Sequence, residues 1–324
     1  MSNKTSFAEI SPSEFKSMYE AGMSIDEVAR QTGRSYTYTR DRLIEARMTL
    51  RSKADGTRLF ISKHPEWRQQ FVKYRVENPL EITEKKSMVL AMVVTEGYTD
   101  ATSFGFTNSQ ELIHDRFRSL VTDVFGSVLI GRNHMTSRVS STEISRVISA
   151  FLPDKTFSPA LLDFILRSPG AASKVLRIIA DTEGSMLISV KKASRNFTVE
   201  SRIVLASSNL EFTRQIVLML ESLGIGSKPT EQGAIIGRKR DITRFVQEVG
   251  FSPGVRVVRR NFRNSLWYGY EKSELAKLFQ RISLEQGKAR AEGRRGSFAD
   301  CFTKQETVLR LREWCADSNG GDPI

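Results

Sequence analysis

The sequence predicts an α+β fold in which a unit of order αββαββα occurs twice, preceded by a small all-α helix-turn-helix domain. Three observations predict it. Residues 89–97 and 176–184 are both apolar stretches ending in Thr-Glu-Gly, 87 residues apart. Each is followed by strand-like segments and then by a stretch with apolar residues at helical spacing. Near the start, a capping signal, a glycine turn and a second helical stretch follow one another closely. The expected boundaries are 1–53 for the helix-turn-helix and 54–80 for a linker with one short helix. The two repeats are expected over 81–168 and 169–286, and a basic linker with a helical tail over 287–324.

In the first domain, Ser24 with Glu27 three residues on makes a capping box. Ala29 lets helices approach, Gly33 admits a left-handed turn, and a second helix runs from about 35 to 47. The segment resembles the helix-turn-helix of resolvases and related small DNA-binding modules, and departs from it where Arg34 and Thr39 replace the usual apolar residues. Seven basic residues and only Asp41 and Glu45 as acids lie between Arg30 and Lys53. Tyr36, Thr37 and Arg40 on the second helix are the candidate DNA contacts. Residues 54–80, with Asp55-Gly56, Pro65 and Pro79, read as a connection holding a short helix at about 66–76.

Composition narrows the function. The 324 residues carry 49 Lys and Arg against 37 Asp and Glu, for a net charge of +12. That charge favours a polyanion as partner. Two cysteines, Cys301 and Cys315, exclude a four-cysteine zinc site within one chain and suit a reducing cytosol. His64, His114 and His134 are scattered and read as surface or capping residues rather than ligands. There is no secretory leader pattern and no run of about 18 apolar residues, so no membrane partner is expected. A cytoplasmic protein is expected, nucleoid-associated in a prokaryote.

The repeats are read element by element. A carboxylate in the last turn of a helix opposes the negative end of the helix dipole, so the pair Glu96 and Glu183 points to a cation at each helix end. A divalent ion bound by the carboxylates and by terminal carbonyls at Gly97 and Gly184 would satisfy both. After Glu183, residues 186–192 and 198–206 read as a hairpin, 210–223 as a helix, 227–232 and 233–237 as a second hairpin, and 241–249 as a helix. After Glu96 the version is shorter: a small arm at 101–107, a helix at 110–125, strands near 128–131 and 137–139, and a helix at 142–151.

This pattern resembles the LAGLIDADG homing endonucleases in their single-chain form with two motifs. The resemblance spans roughly 81–280 and rests on the paired Thr-Glu-Gly motifs, on Phe106-Thr107-Asn108-Ser109 and on Phe251-Ser252-Pro253-Gly254. It implies two motif helices packed at a pseudo-twofold axis, with Ala91, Thr95 and Thr182 allowing close approach and Ile178 larger than the family's usual residue. It also implies two sheets forming a DNA-binding saddle above Glu96 and Glu183, with Mg²⁺ or Mn²⁺ as cofactor. Gln110 and Asn209, at equivalent helix starts, would orient a water or touch a phosphate; helix capping is the other reading of Asn209. A basic residue near the last strand of each half matches Arg238 or Lys239 in the second copy, whereas the first copy has Ser140-Ser141-Thr142-Glu143 there.

Strand alternation puts Ser189, Lys191 and Arg202 on one side of the second hairpin, with Arg195 near its turn and Ile188, Val190 and Ile203 facing the core. Lys228 and Arg240 add charge, and Arg259 and Arg260 are interleaved with aromatic residues further on. Helices are expected at 271–284 and 303–314, a linker at 289–296, and a partly buried, chemically idle Cys315.

The implied activity is hydrolysis of double-stranded DNA at a long asymmetric site, for which one chain with two motifs suffices as a monomer. The chain shows no intein splice junctions and reads as free-standing. The alternatives are a transcription regulator that binds DNA without cutting, or a maturase acting on intron RNA.

Overall fold

The computed structural model describes residues 10–63, 76, 78–193, 196–258, 265–292 and 303–317. The chain divides into two compact units, residues 1–72 and 73–324. No helix among the described residues is long and apolar enough to cross a membrane.

The first unit contains α1 (Pro12–Glu20), α2 (Ile25–Thr32), α3 (Tyr36–Glu45) and α4 (Lys53–Lys63). The capping box at α2 forms as expected. The Ser24 N–H donates to Glu27 Oε2 at 2.6 Å and the Glu27 N–H to Ser24 Oγ at 3.2 Å. These bonds hold the Glu27 carboxyl below its ordinary pKa, the Ser24 backbone bond contributing most. Ser11 and Glu14 repeat the device at α1. Gly33 takes φ 66° and closes α2. Phe15, Tyr19, Val28 and Leu43 form the core. Thr39 is fully buried with its hydroxyl unpartnered, a polar residue at a core position.

Arg51 packs within the unit: its guanidinium lies 4.1 Å from the Tyr19 ring centroid and donates to Met23 O at 2.9 Å. One reading of this region changes. Asp55-Gly56 sits inside α4, because the Ser52 hydroxyl accepts the Asp55 N–H at 3.1 Å and starts a helix there. The helix expected at 66–76 lies outside the described residues except for Val76.

The second unit shows the repeat. Its first half runs α5 (Glu84–Glu96), β1 (Gly97–Thr99), β2 (Ser103–Thr107), α6 (Glu111–Phe125), β3 (Ile130–Arg132), β4 (Thr136–Ser140) and α7 (Thr142–Phe151). A single-turn helix, Pro153–Lys155, and α8 (Pro159–Arg167) follow. The second half runs α9 (Pro169–Glu183), β5 (Gly184–Ala193), β6 (Asn196–Ala206), α10 (Leu210–Ser222), β7 (Lys228–Thr230), β8 (Gly233–Ile236) and α11 (Lys239–Glu248). Each half forms a four-stranded antiparallel sheet of the same topology, β1-β2-β4-β3 and β5-β6-β8-β7. Helices α5 and α9 pack against each other, and their apolar faces join one continuous core.

The chain continues into α12 (Lys272–Ala291) and α13 (Lys304–Asp317), both packed on β5. Trp267, 1% exposed, donates its indole N–H to Ile188 O at 2.8 Å and so closes part of the open edge of β5. Helix α12 extends well beyond 284, so residues 289–291 are helix rather than linker, with Ala289 buried. Cys315 is buried, and burial pushes its thiol up to about 11. His114 is a correction: it is fully buried, edge-on to Phe106, with Nδ1 2.8 Å from Ser137 Oγ and Nε2 2.8 Å from Asn108 O. Burial lowers its pKa. His134 is exposed, and His64 lies outside the described residues.

Candidate functional site

Glu96 and Glu183 are the last residues of α5 and α9. The chain passes from each helix into a strand with no connecting residue. Gly97 and Gly184 are not left-handed caps. Their φ angles are −105° and −80°. Glycine is needed there for space: a Cβ on Gly97 would stand 2.6 Å from Gly105 O, and one on Gly184 2.6 Å from Ala180 Cα. Both residues open their strands, paired with Phe106 and Leu205. Thr95 and Thr182 turn their hydroxyls onto their own helices, each 2.9 Å from the carbonyl four residues back.

Both carboxylates line one cleft of about 310 Å³, together with Asn108, Gln110, Arg256 and Lys272. Asn108 Nδ2 donates to Glu96 Oε2. Asn108 is itself held, its Oδ1 accepting the Gln110 N–H at 2.8 Å and its carbonyl lying against His114. Gln110 starts α6 without capping it; its Oε1 accepts the Arg256 N–H at 2.7 Å. Asn209, at the equivalent position, caps α10 through Oδ1, at 3.0 Å from the Glu211 N–H, and donates to Asp154 O at 3.0 Å. The capping reading of Asn209 therefore holds.

A second cleft of about 470 Å³ also takes in Glu183, with Thr95, Lys155, Asn209 and Gln232. Lys155 of the second cleft and Arg256 of the first come from equivalent segments. Residues 151–157, Phe-Leu-Pro-Asp-Lys-Thr-Phe, and 251–257, Phe-Ser-Pro-Gly-Val-Arg-Val, follow α7 and α11 respectively. Each turns through a left-handed residue, Asp154 at φ 50° and Gly254 at φ 80°, and each meets the helix-start residue of the opposite half. Phe157 is fixed there by Gln215, which bonds both its N–H and its C=O at 2.8 Å.

This relocates the basic residues expected beside the carboxylates. Arg238 is the N-cap of α11, and Lys239 donates from Nζ to Ser283 O at 2.8 Å. Lys239 and Arg240 line a separate surface with Arg244 and Glu248, and neither Arg238 nor Lys239 lines a cleft that holds Glu96 or Glu183. Strand β8 ends at Ile236, so these residues follow the last strand and begin a helix. Lys155 lines the second cleft, and Arg256 and Lys272 line the first. The similarity of 151–157 to 251–257 was the signal available in the sequence.

Asp181 is a further residue that sequence reasoning passed over. It is 1% exposed and pairs with Arg116 of α6 at 2.5 Å, and its other oxygen accepts the Ser252 N–H at 2.9 Å. The pair ties the second motif helix to the first half.

On the second hairpin, Leu187 pairs with Arg202, Ser189 with Glu200 and Lys191 with Thr198, so Ser189, Lys191 and Arg202 share a face as expected. Lys191 forms an ion pair with Glu200 at 2.5 Å. Lys228 and Arg240 are exposed, as are Tyr36, Thr37 and Arg40 on α3. Arg195, Arg259 and Arg260 lie outside the described residues.

No group of three or more His, Cys, Asp and Glu side chains among the described residues makes a metal cluster. The donor set at the first cleft nonetheless fits a hard divalent cation. Two carboxylates from separate helices face one cleft, and the remaining ligands of such an ion are ordinarily water, backbone and phosphate oxygens.

A repeated αββαββα unit with a carboxylate closing each of two packed helices defines a paired-sheet fold built around a two-carboxylate cleft. Residues 172–283 match the family described as LAGLIDADG-like domain, and residues 10–58 match a helix-turn-helix domain. The LAGLIDADG-like match thus lies within the second unit, and the helix-turn-helix match within the first. Among solved structures the chain is similar to meganuclease I-AabMI bound to uncleaved DNA, at 11% identity over 74% of this chain and 100% of that one, TM-score 0.43. It is similar to meganuclease I-SmaMI bound to uncleaveable DNA, at 11% identity over 74% and 100%, TM-score 0.40. It is also similar to I-DmoI in complex with DNA and Mn, at 12% identity over 52% and 96%, TM-score 0.37. No curated protein matches the chain.

Proposed function

We propose that this protein is a site-specific endonuclease that hydrolyses both strands of DNA at a long asymmetric target, with Mg²⁺ or Mn²⁺ bound by Glu96 and Glu183. The observation that carries the reading is the shared cleft: two carboxylates from equivalent helices face the same space. A divalent ion bound there would activate water and offset charge on the leaving oxygen. The chain's own residues do the rest. Asn108 orients the Glu96 carboxylate through its amide N–H. Arg256 and Lys155, brought in by the crossing segments, counter phosphate charge near each carboxylate. Ser189, Lys191 and Arg202 are positioned to meet base edges or backbone along the long hairpin. One chain supplies both carboxylates, so a monomer is sufficient.

The test is a cleavage assay on duplex DNA, using a randomised library together with the genomic sequence flanking the gene. Mg²⁺ serves for cutting and Ca²⁺ as a binding-only control. Wild type should cut at one site, and Glu183→Gln should lose at least about 100-fold in rate while keeping its binding. Equal, salt-sensitive binding by both proteins with no cutting would support a DNA-binding regulator instead. The polar cover already present at the carboxylate ends, Asn108 on Glu96 and Lys272 on the end of α9, favours that second reading.

A further inference from the structure

Several surface cations of the second unit are paired with acids: Lys85, Arg118, Lys174, Lys191 and Arg214 each form an ion pair. Helix α11 is different. Arg238, Lys239, Arg240 and Arg244 are all exposed, and among the described residues none of them forms an ion pair. Lys239 reaches Ser283 O and Arg244 reaches Gly224 O at 3.4 Å, but these are neutral carbonyls, so the charges stand. The first half supplies an internal control. Counted from the N-cap, the equivalent helix α7 carries Ser141, Thr142, Glu143 and Val147 at the same places. Ser141 caps its helix by accepting the Ile144 N–H at 3.3 Å, whereas the Arg238 side chain makes no cap bond. The fold therefore requires no basic residue at any of the four positions. Nor do three of them serve the helix, since cations in a first turn face the positive end of its dipole.

The packing fixes which way this face points. Ile242 and Phe245 of α11 are buried in the same core as Ile188, Val190 and Ile203 of the long hairpin. Helix α11 thus lies on the core side of that sheet, and Lys239, Arg240, Thr243, Arg244 and Gln247 form an outer surface directed away from it. Ser189, Lys191 and Arg202 lie on the opposite side of the sheet.

We propose that the outer face of α11 is a second binding surface for double-stranded DNA, holding a separate segment by its phosphates. Charge complementarity selects a polyanion, and a second copy of the same face is repelled. Three arginines suit phosphate oxygens better than point charges do. No aromatic side chain lines the face to stack unpaired bases, and no apolar one to enter a membrane. The 10 residues of α11 span about 15 Å, which matches several charges of a duplex carrying one per about 1.7 Å of its axis. With duplex surfaces on opposite sides of one sheet, the protein passes between DNA segments without first being released into solution. The inference rests on the reading of this protein as DNA-binding and is independent of cleavage.

The test is stopped-flow dissociation of the full-length protein from a labelled 30-base-pair duplex of arbitrary sequence, with Ca²⁺ present, chased by rising concentrations of unlabelled duplex. Direct transfer makes the dissociation rate of wild type climb in proportion to the competitor. Arg238→Gln, Arg240→Gln and Arg244→Gln combined should reduce that slope at least about fivefold, because three phosphate contacts are lost. The matching Arg→Lys protein should keep most of the slope. A wild-type rate that ignores competitor would overturn the proposal. So would an unchanged slope in the Gln protein, which would assign transfer to another surface such as the helix-turn-helix. Acceleration by duplex RNA but not by duplex DNA would also overturn it and point to an RNA partner. If the triple variant does not fold, Arg238→Gln with Arg240→Gln decides alone, since neither side chain packs against another element. Wild type that fails to bind the labelled duplex at all would overturn the DNA-binding reading itself, a different result from binding without transfer.

Discussion

At the scale of single residues, the glycines show how little room the motif ends allow. Gly184 has backbone atoms of Ala180 where a Cβ would go, whereas Gly56 in α4 has open space around it. Gly184→Ala should therefore destabilise the protein by about 1–3 kcal/mol through overpacking against backbone. Gly56→Ala should stabilise it by about 0.5–1 kcal/mol, since glycine costs helix entropy. Urea denaturation of the two variants checks both signs. His114 makes a second residue-level prediction. Burial lowers its pKa in the folded state from an ordinary 6.5. The unfolded chain therefore takes up the proton first, and stability is full above the ordinary value. It falls as pH drops through 6.5 and levels off below the folded-state pKa. His114→Gln should flatten that loss in urea midpoints measured between pH 7.5 and 5. The same histidine supports the Asn108 carbonyl, so its charging would also disturb the amide that holds Glu96.

At the scale of elements, the two hairpins differ in reach. Strands β5 and β6 have 10 and 11 residues, while β1 and β2 have 3 and 5. At about 3.3 Å per residue the second arm extends roughly 33 Å and the first no more than roughly 17 Å. A footprint on bound DNA should accordingly extend further from the cut on the side of the second half. Arg202→Ala should weaken binding by about tenfold and shorten protection on that side only, as hydroxyl-radical footprinting would read. Most elements of both halves were legible in the sequence because they obey simple periods. Helix α7 was readable from its apolar spacing and the hairpin of β5 and β6 from its alternation. Helix α8 was missed, and α12 was read too short because polar residues along its exposed face hid its length. The carboxylates were legible as a repeated cost at a helix end. Arg116, Lys155, Arg256 and Lys272 were not, because they reach their partners across 65, 54, 146 and 91 residues. Local spacing carries no record of such contacts.

At the scale of the whole molecule, the two units have very different reserves. The second unit is built on one continuous core shared by both sheets and by the paired helices. Among the described residues the first has a small core cluster, Phe15, Tyr19, Val28 and Leu43, with partly buried residues such as Met18, Ile25 and Tyr38 packed on it. So small a core gives a marginal domain. Phe15→Ala should remove about 3–5 kcal/mol and leave the first unit largely unfolded. Hydrogen exchange would show this as loss of protection over residues 12–45, with amides of α5 and α9 still protected. If the helix-turn-helix contributes to target choice, the same variant should keep cutting and lose discrimination between sites.

The crossing segments also bear on protein engineering. A fold with two matching halves invites chimeras in which one half is exchanged for that of a relative. Here a junction between α8 and α9 would separate Phe157 from Gln215 and Asp154 from Asn209, and would leave Arg256 facing a foreign helix start. The exchangeable module is therefore not a contiguous half. A graft that respects this chemistry carries residues 151–157 together with α10, and residues 251–257 together with α6.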